Sequence, residues 1–229
     1  MRKREGRSGY FTIALALKER FENAGPWTGD ELTTISVEEV AGVLGQDAEH
    51  ELMRLYATAL RDLGVRVARD FDSRFFGVVA AAGGSAVPLV ELLSRWSSFS
   101  DVSTYGSSRV PFFKRAQLAA SDLAAARVAT FDDLGRLTLF ADNLVPHVLR
   151  LDGVLRYDER LAARIDAGEL IEHGSGEEVE IRASALHAAE LIASRRGVSP
   201  REVDYLLWNR GQFARYKDHP RHRARCTAY

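Results

Sequence analysis

The chain has 229 residues, 46% of them hydrophobic and 28% charged, which supplies a packed core and argues against a disordered chain. Thirty-one Lys and Arg stand against 32 Asp and Glu, a net charge of −1 that excludes a protein whose main task is to coat nucleic acid or to grip an anionic membrane. The single cysteine, Cys226, excludes an internal disulfide framework and a cysteine-rich zinc site, and it suits a reducing compartment.

In chain order, the basic start from Met1 to Arg7 is followed by only a short apolar segment before Lys18, Glu19 and Arg20, so a signal peptide is not expected. Phe11, Leu15, Leu17 and Phe21 fall near one helical face, and Gly25-Pro26 ends that helix. Ser36 and Glu39 form a capping box before Val40, Val43 and Leu44. Residues 51–71 carry Leu52, Leu55, Tyr56, Leu60, Leu63, Val67 and Phe71 at helical spacing, with Gly64 a local weakness of roughly 1 kcal/mol relative to Ala. The longest apolar run, Val78 to Ala82, is too short to span a bilayer. Residues 89–96 read as a buried helix, the Ser-, Thr- and Gly-rich stretch 97–108 as a loop, and 111–128 as a long helix.

Asp132-Asp133-Leu134-Gly135 turns the chain, and Pro146 starts or kinks the next helix. Gly153 and Gly168 punctuate short helices, and residues 173–176 form a turn. The alternation in 177–181 fits either a short strand or a helix entry, and 183–194 is helical. Ser199-Pro200-Arg201-Glu202 joins an N-cap, a proline at the first helical position and a capping-box glutamate, which starts a last helix running to about Phe213. No repeat, low-complexity segment, linker or βαβ alternation is present, so the expectation is a mainly α, single helical domain over residues 1–229, soluble and cytoplasmic.

Several chemistries are excluded by missing motifs. There is no G-x-x-x-x-G-K-S/T phosphate loop, no H-E-x-x-H and no G-x-S-x-G, and Gly83-Gly84 lacks a third glycine at dinucleotide-binding spacing. His219 and His222 are close to each other, but no acidic cluster completes a metal site; the basic end from Arg215 to Arg225 is expected to be a solvated tail, with no metal.

Three constellations remain. Asp142 sits inside the apolar stretch 137–146, where a buried carboxylate must be paired, protonated or functional; it is either a helix cap or a reactive group. On the last helix, Asp204 shares a face with Trp208 and Tyr205 with Asn209, which gives either a wall for a heterocyclic base or a dipole-favoured acid among core aromatics. Lys114 and Arg115, after Phe112 and Phe113, are either a phosphate grip or a solvated helix face.

Five ordered blocks resemble the queuosine salvage family. They are Phe112-Phe113-Lys114-Arg115-Ala116-Gln117, Leu139-Phe140-Ala141-Asp142-Asn143-Leu144-Val145-Pro146, Glu178-Val179-Glu180-Ile181-Arg182-Ala183-Ser184, Asp204-Tyr205-Leu206-Leu207-Trp208-Asn209 and His222-Arg223-Ala224-Arg225-Cys226-Thr227-Ala228-Tyr229. The resemblance implies a helical queuosine 5'-phosphate N-glycosylase/hydrolase that releases the 7-deazaguanine base queuine for reuse in tRNA. It implies Asp142 as the catalytic carboxylate, nucleophile or transition-state stabiliser, and Phe140, Asp204 and Tyr205 as base contacts. Asn209 stands where the family usually has Asp, which keeps an acceptor and loses a charge. The family also has an upstream aromatic-rich segment with a substrate-contacting histidine, and this chain is expected to begin near the middle of that region.

The chemistry is consistent with those residues. Departure of a base from ribose builds oxocarbenium character at the anomeric carbon, which a nearby carboxylate stabilises. Lys114, with Arg115 as a second candidate, is assigned to the 5'-phosphate on charge, Asp204 is expected to accept hydrogen bonds from the base edge, and no cofactor is required. The partner is a small nucleotide, with no stable nucleic-acid or membrane partner. The competing readings are a helical nucleic-acid-binding or DNA-glycosylase-like protein, which predicts steep salt dependence, and a non-catalytic nucleotide-binding module.

Overall fold

The computed structural model describes residues 1–229 and is mainly α, with twelve α-helices and one two-stranded hairpin. No helix is long and apolar enough to cross a membrane. The chain groups into two compact units, Met1–Ala81 with Trp96–Ser98, and Ala82–Arg95 with Phe99–Tyr229.

The first unit holds α1 (Gly9–Ala24), α2 (Gly29–Thr34), α3 (Val37–Leu44), α4 (Glu51–Phe71) and α5 (Phe75–Ala80). Thr28 with Glu31 and Ser36 with Glu39 close capping boxes on α2 and α3, the second as the sequence predicts. Its core joins Ala16, Leu32, Ile35, Val40, Ala41, Leu44, Met53 and Ala57. In α1 the bulky stripe predicted from the sequence is not the buried one. Phe11, Leu17 and Phe21 are exposed, while Thr12 and Ala16 are buried.

Gly64 also reads differently in three dimensions. A Cβ there would lie 2.7 Å from the carbonyl carbon and Cβ of Leu32, so the glycine lets α2 sit directly on α4. The helix-propensity gain of Ala, about 1 kcal/mol, is opposed by a clash with backbone that cannot step aside. Gly64→Ala is therefore expected to lower stability by about 1–3 kcal/mol in a urea titration; a stabilised variant would show that α2 can move away.

The second unit holds the candidate site. Its α6 (Ala86–Ser94) starts where the Ser85 hydroxyl and the Ala86 and Val87 N–H groups donate to Asp133. The stretch expected to be a loop contains an antiparallel hairpin, β1 (Val102–Tyr105) and β2 (Ser108–Pro111), in register from Val102↔Pro111 to Tyr105↔Ser108. Gly106, with φ +58°, supplies the left-handed turn residue; the Ser- and Thr-rich composition hid two strands of four residues each.

The helix predicted over 111–128 is shorter, α7 (Lys114–Ala125). Phe113 precedes it with φ +49°, a conformation rare for an aromatic residue, and so breaks the helix from the Phe112 backbone. Beyond a 3-10 turn at Leu134–Arg136 come α8 (Leu144–Leu151), α9 (Glu159–Asp166), α10 (Gly176–Arg196), α11 (Pro200–Arg210) and α12 (Ala214–Lys217). The ambiguous 177–181 stretch is the first turns of α10, capped by Ser175, and α11 has the predicted Ser199–Glu202 box with Pro200 at its start. The core packs Phe112, Leu139, Ala141, Val145, Leu149, Val179, Ala185 and Val203.

The tail is not solvated along its length. The Ile171 N–H donates to the Arg223 carbonyl at 2.8 Å, and His222 is buried. A run of basic residues conceals the alternation that sends His222 inward and Arg221 and Arg223 outward.

Candidate active site

Three consecutive residues, 140–142, are each clamped by a different helix. The Phe140 N–H donates to Asp204 Oδ1 on α11 at 3.0 Å. The Ala141 carbonyl accepts from Arg182 Nε on α10 at 3.0 Å. Asp142 Oδ1 accepts from the Leu144 and Val145 N–H groups at the start of α8, at 2.7 and 3.1 Å. Asp142 thus caps a helix with one oxygen, and its side chain is only half-buried. The cap and the reactive-group readings are compatible, because the cap engages Oδ1 alone.

Asp204 is 7% exposed. Burial first, and then the charge of Asp142, pushes its carboxyl up to about 7, against the opposing pull of the Phe140 N–H and of Lys114. Burial and the neighbouring carboxylate both favour the protonated form of Asp204.

Lys114 opens α7, and its backbone N–H donates to Asp101 Oδ2 at 3.1 Å. Its ammonium lies within electrostatic reach of Asp204 and of Asp122; burial nonetheless raises the Asp122 carboxyl. Phe140 is buried. The structure therefore gathers Asp142, Asp204, Phe140 and Lys114. Tyr205 and Asn209 stand on the outer face of α11: Tyr205 is 70% exposed, and the Asn209 side chain donates to the Tyr205 carbonyl at 2.7 Å. One and five residues beyond Asp204, both leave α11 on a different face from that buried carboxyl.

Beneath this group lies a buried ionic platform that the sequence reading missed. Arg182 and Glu178, on successive turns of α10, are fully buried, and Asp101 is nearly so. Arg182 binds Asp101 with two hydrogen bonds of 3.0 and 2.6 Å and lies 3.5 Å from Glu178 Oε1. Its guanidinium carbon sits 3.9 Å from the centre of the Phe112 ring and 4.4 Å from that of Tyr229. Gln117 ties α7 to the same loop, with its carbonyl taking the Thr138 N–H at 2.8 Å.

His222 packs beside Tyr229, and burial lowers its imidazole to about 4, so it is neutral near pH 7. Burial and Glu178 push the Tyr229 hydroxyl upward. The signal available in the sequence was the Glu178–Arg182 pair at i,i+4; nothing local marked Asp101 as its partner 81 residues away. No group of three or more His, Cys, Asp or Glu side chains is placed to hold a metal ion.

The fold is mainly α, and the candidate site sets two carboxylates, Asp142 and Asp204, near the Lys114 ammonium. A family model described as queuosine salvage protein matches residues 2–229. The chain belongs to the queuosine salvage protein family. It is 40% identical to a Sphaerobacter thermophilus protein named queuosine 5'-phosphate N-glycosylase/hydrolase, over 96% of this chain and 72% of that one. Proteins of the same name from Mus musculus and Dictyostelium discoideum are 30% and 29% identical, over 97% and 96% of this chain and 72% and 71% of theirs.

Proposed function

We propose that the chain hydrolyses the N-glycosidic bond of queuosine 5'-phosphate and releases queuine. Family membership over nearly the whole chain supports the substrate, and it supports reading residues 1–229 as one queuosine-salvage-like domain. The observation that carries the chemistry is the carboxylate pair, Asp142 fixed at a helix start and Asp204 raised to about 7.

In this reading Asp142 offers Oδ2, which the cap does not use, to the anomeric carbon, as nucleophile or transition-state stabiliser. The C–N bond breaks with its electron pair moving to the base. Asp204, protonated below about pH 7, gives its proton to the departing base. Water supplies the hydroxyl that ends on the anomeric carbon, and its other proton restores the acid. The sequence reading made Asp204 an acceptor; its raised value supports a donor. Phe140, Tyr205 and Asn209 contact the base. Lys114 meets the 5'-phosphate, its charge poised between Asp204 and Asp122. The near-zero net charge supports a free cytoplasmic nucleotide rather than a polymer as substrate.

The test is mass-spectrometric detection of queuine released from queuosine 5'-phosphate and from the nucleoside. The native chain is expected to release queuine and to prefer the phosphate. Lys114→Ala is expected to cut that preference by about tenfold or more, the scale of one charge-assisted hydrogen bond. No release by folded native chain would overturn the function, and an unchanged preference in the variant would remove Lys114 from the phosphate site.

A further inference from the structure

We propose that Arg182 is a positioning residue for Asp142: it holds the Ala141 carbonyl in one place and thereby fixes the direction of the neighbouring carboxylate. The inference rests on the proposed role of Asp142 and adds a residue that touches no reacting atom.

A guanidinium with no exposed surface gives up its hydration, and a buried ion pair is poor evidence of stability when apolar residues could fill the same space. What such a pair supplies best is a single arrangement of the groups it binds. Here those groups come from distant parts of the chain. Two guanidinium nitrogens bind Asp101, one of them also facing Glu178, while Nε points the other way, to Ala141. Asp101 in turn receives the Lys114 N–H, and its own carbonyl accepts the Phe112 and Phe113 N–H groups at 2.9 and 3.2 Å. Glu178 is held by the Gly174 N–H at 3.0 Å. The Phe112 and Tyr229 rings prevent the guanidinium plane from tilting. The plane therefore has one orientation, and the Nε–H bond delivers it to the residue before Asp142. A lysine keeps the charge and loses both the fork and the plane.

The experiment combines a kinetic cycle with hydrogen exchange. Arg182→Lys is expected to lower kcat about 30-fold or more with KM within about threefold, the pattern of a misplaced reacting group. In an Asp142→Asn background the same change is expected to cost less than about threefold, because the group it positions is already disabled. Exchange of the Leu144 and Val145 amides, capped by Asp142, is expected to quicken about tenfold in Arg182→Lys while Val148 and Leu149 stay protected.

Equal losses in both backgrounds, or unchanged exchange at 144 and 145 in a folded variant, would overturn the proposal. If the native chain releases no queuine, the functional reading fails, and the exchange arm still decides whether Arg182 holds Asp142. If Arg182→Lys does not fold, Asp101→Asn, which keeps the shape and loosens the fork, takes its place in the same cycle. Failure of both to fold would also overturn the proposal, since Arg182 would then be a requirement for folding.

Discussion

Asp142→Asn is expected to reduce kcat for queuine release by about 10³-fold or more while the protein stays folded with nearly native affinity. The substitution separates the cap seen at this residue from its proposed catalytic role. Asparagine retains an oxygen that can accept the Leu144 and Val145 N–H groups, so the helix keeps its cap. What it loses is the negative charge. At the start of α8 that charge contributes about 0.3–1 kcal/mol through the helix dipole, a shift of a few degrees in melting temperature. Opposite a developing oxocarbenium ion in a sheltered site it is worth several kcal/mol. A melting loss with unchanged turnover would reduce Asp142 to a cap. There is a secondary signature: the charge of Asp142 helps to hold the Asp204 carboxyl up, so its removal shifts the Asp204 titration to lower pH. The residual activity of Asp142→Asn is expected to decline at a lower pH than that of the native chain.

The sequence carried the local rules well and the long-range ones poorly. Capping boxes at Ser36 and Ser199, the span of α4 and the apolar cover around Asp142 follow from neighbours within four residues, and all are legible. The hairpin was hidden because Ser, Thr and Gly serve loops and short strands alike, and Gly64 because its reason lies in Leu32 on another helix. In the site, Asp142, Asp204, Phe140 and Lys114 were named from type and resemblance, and the fold gathers them. Tyr205 and Asn209 were paired correctly at i,i+4, but periodicity does not say which face of α11 turns inward. Asp101 and Arg182 were missed for one reason. A buried charged residue looks like a surface residue until its partners are known, and those partners come from the hairpin, α10 and the tail.

The native enzyme is expected to lose activity as pH rises through about 7, and Asp204→Asn to remove that pH dependence. In the proposed mechanism Asp204 acts as the protonated acid, and burial pushes its carboxyl up to about 7, so kcat/KM is expected to hold below that value and to fall tenfold per pH unit above it. The variant has no proton to give; its rate is expected to be lower by about 10²–10⁴-fold and flat from pH 6 to 8. Stability moves in the same direction for the same reason. The folded value lies above the ordinary one of 3.8, so the folded protein holds this proton over a range in which the unfolded chain has released it. The contribution is complete below about pH 4 and is lost as pH rises to about 7, a change on the order of 4 kcal/mol for a fully sheltered group. Asp204→Asn keeps an acceptor for the Phe140 N–H and carries no charge, so it is expected to gain on the native protein in denaturant titrations at pH 8 and to lose that gain at pH 5. A native rate that climbs through pH 7 would mean that Asp204 works ionised, as an acceptor for the base edge, and the proton for the leaving base would then have to come from solvent.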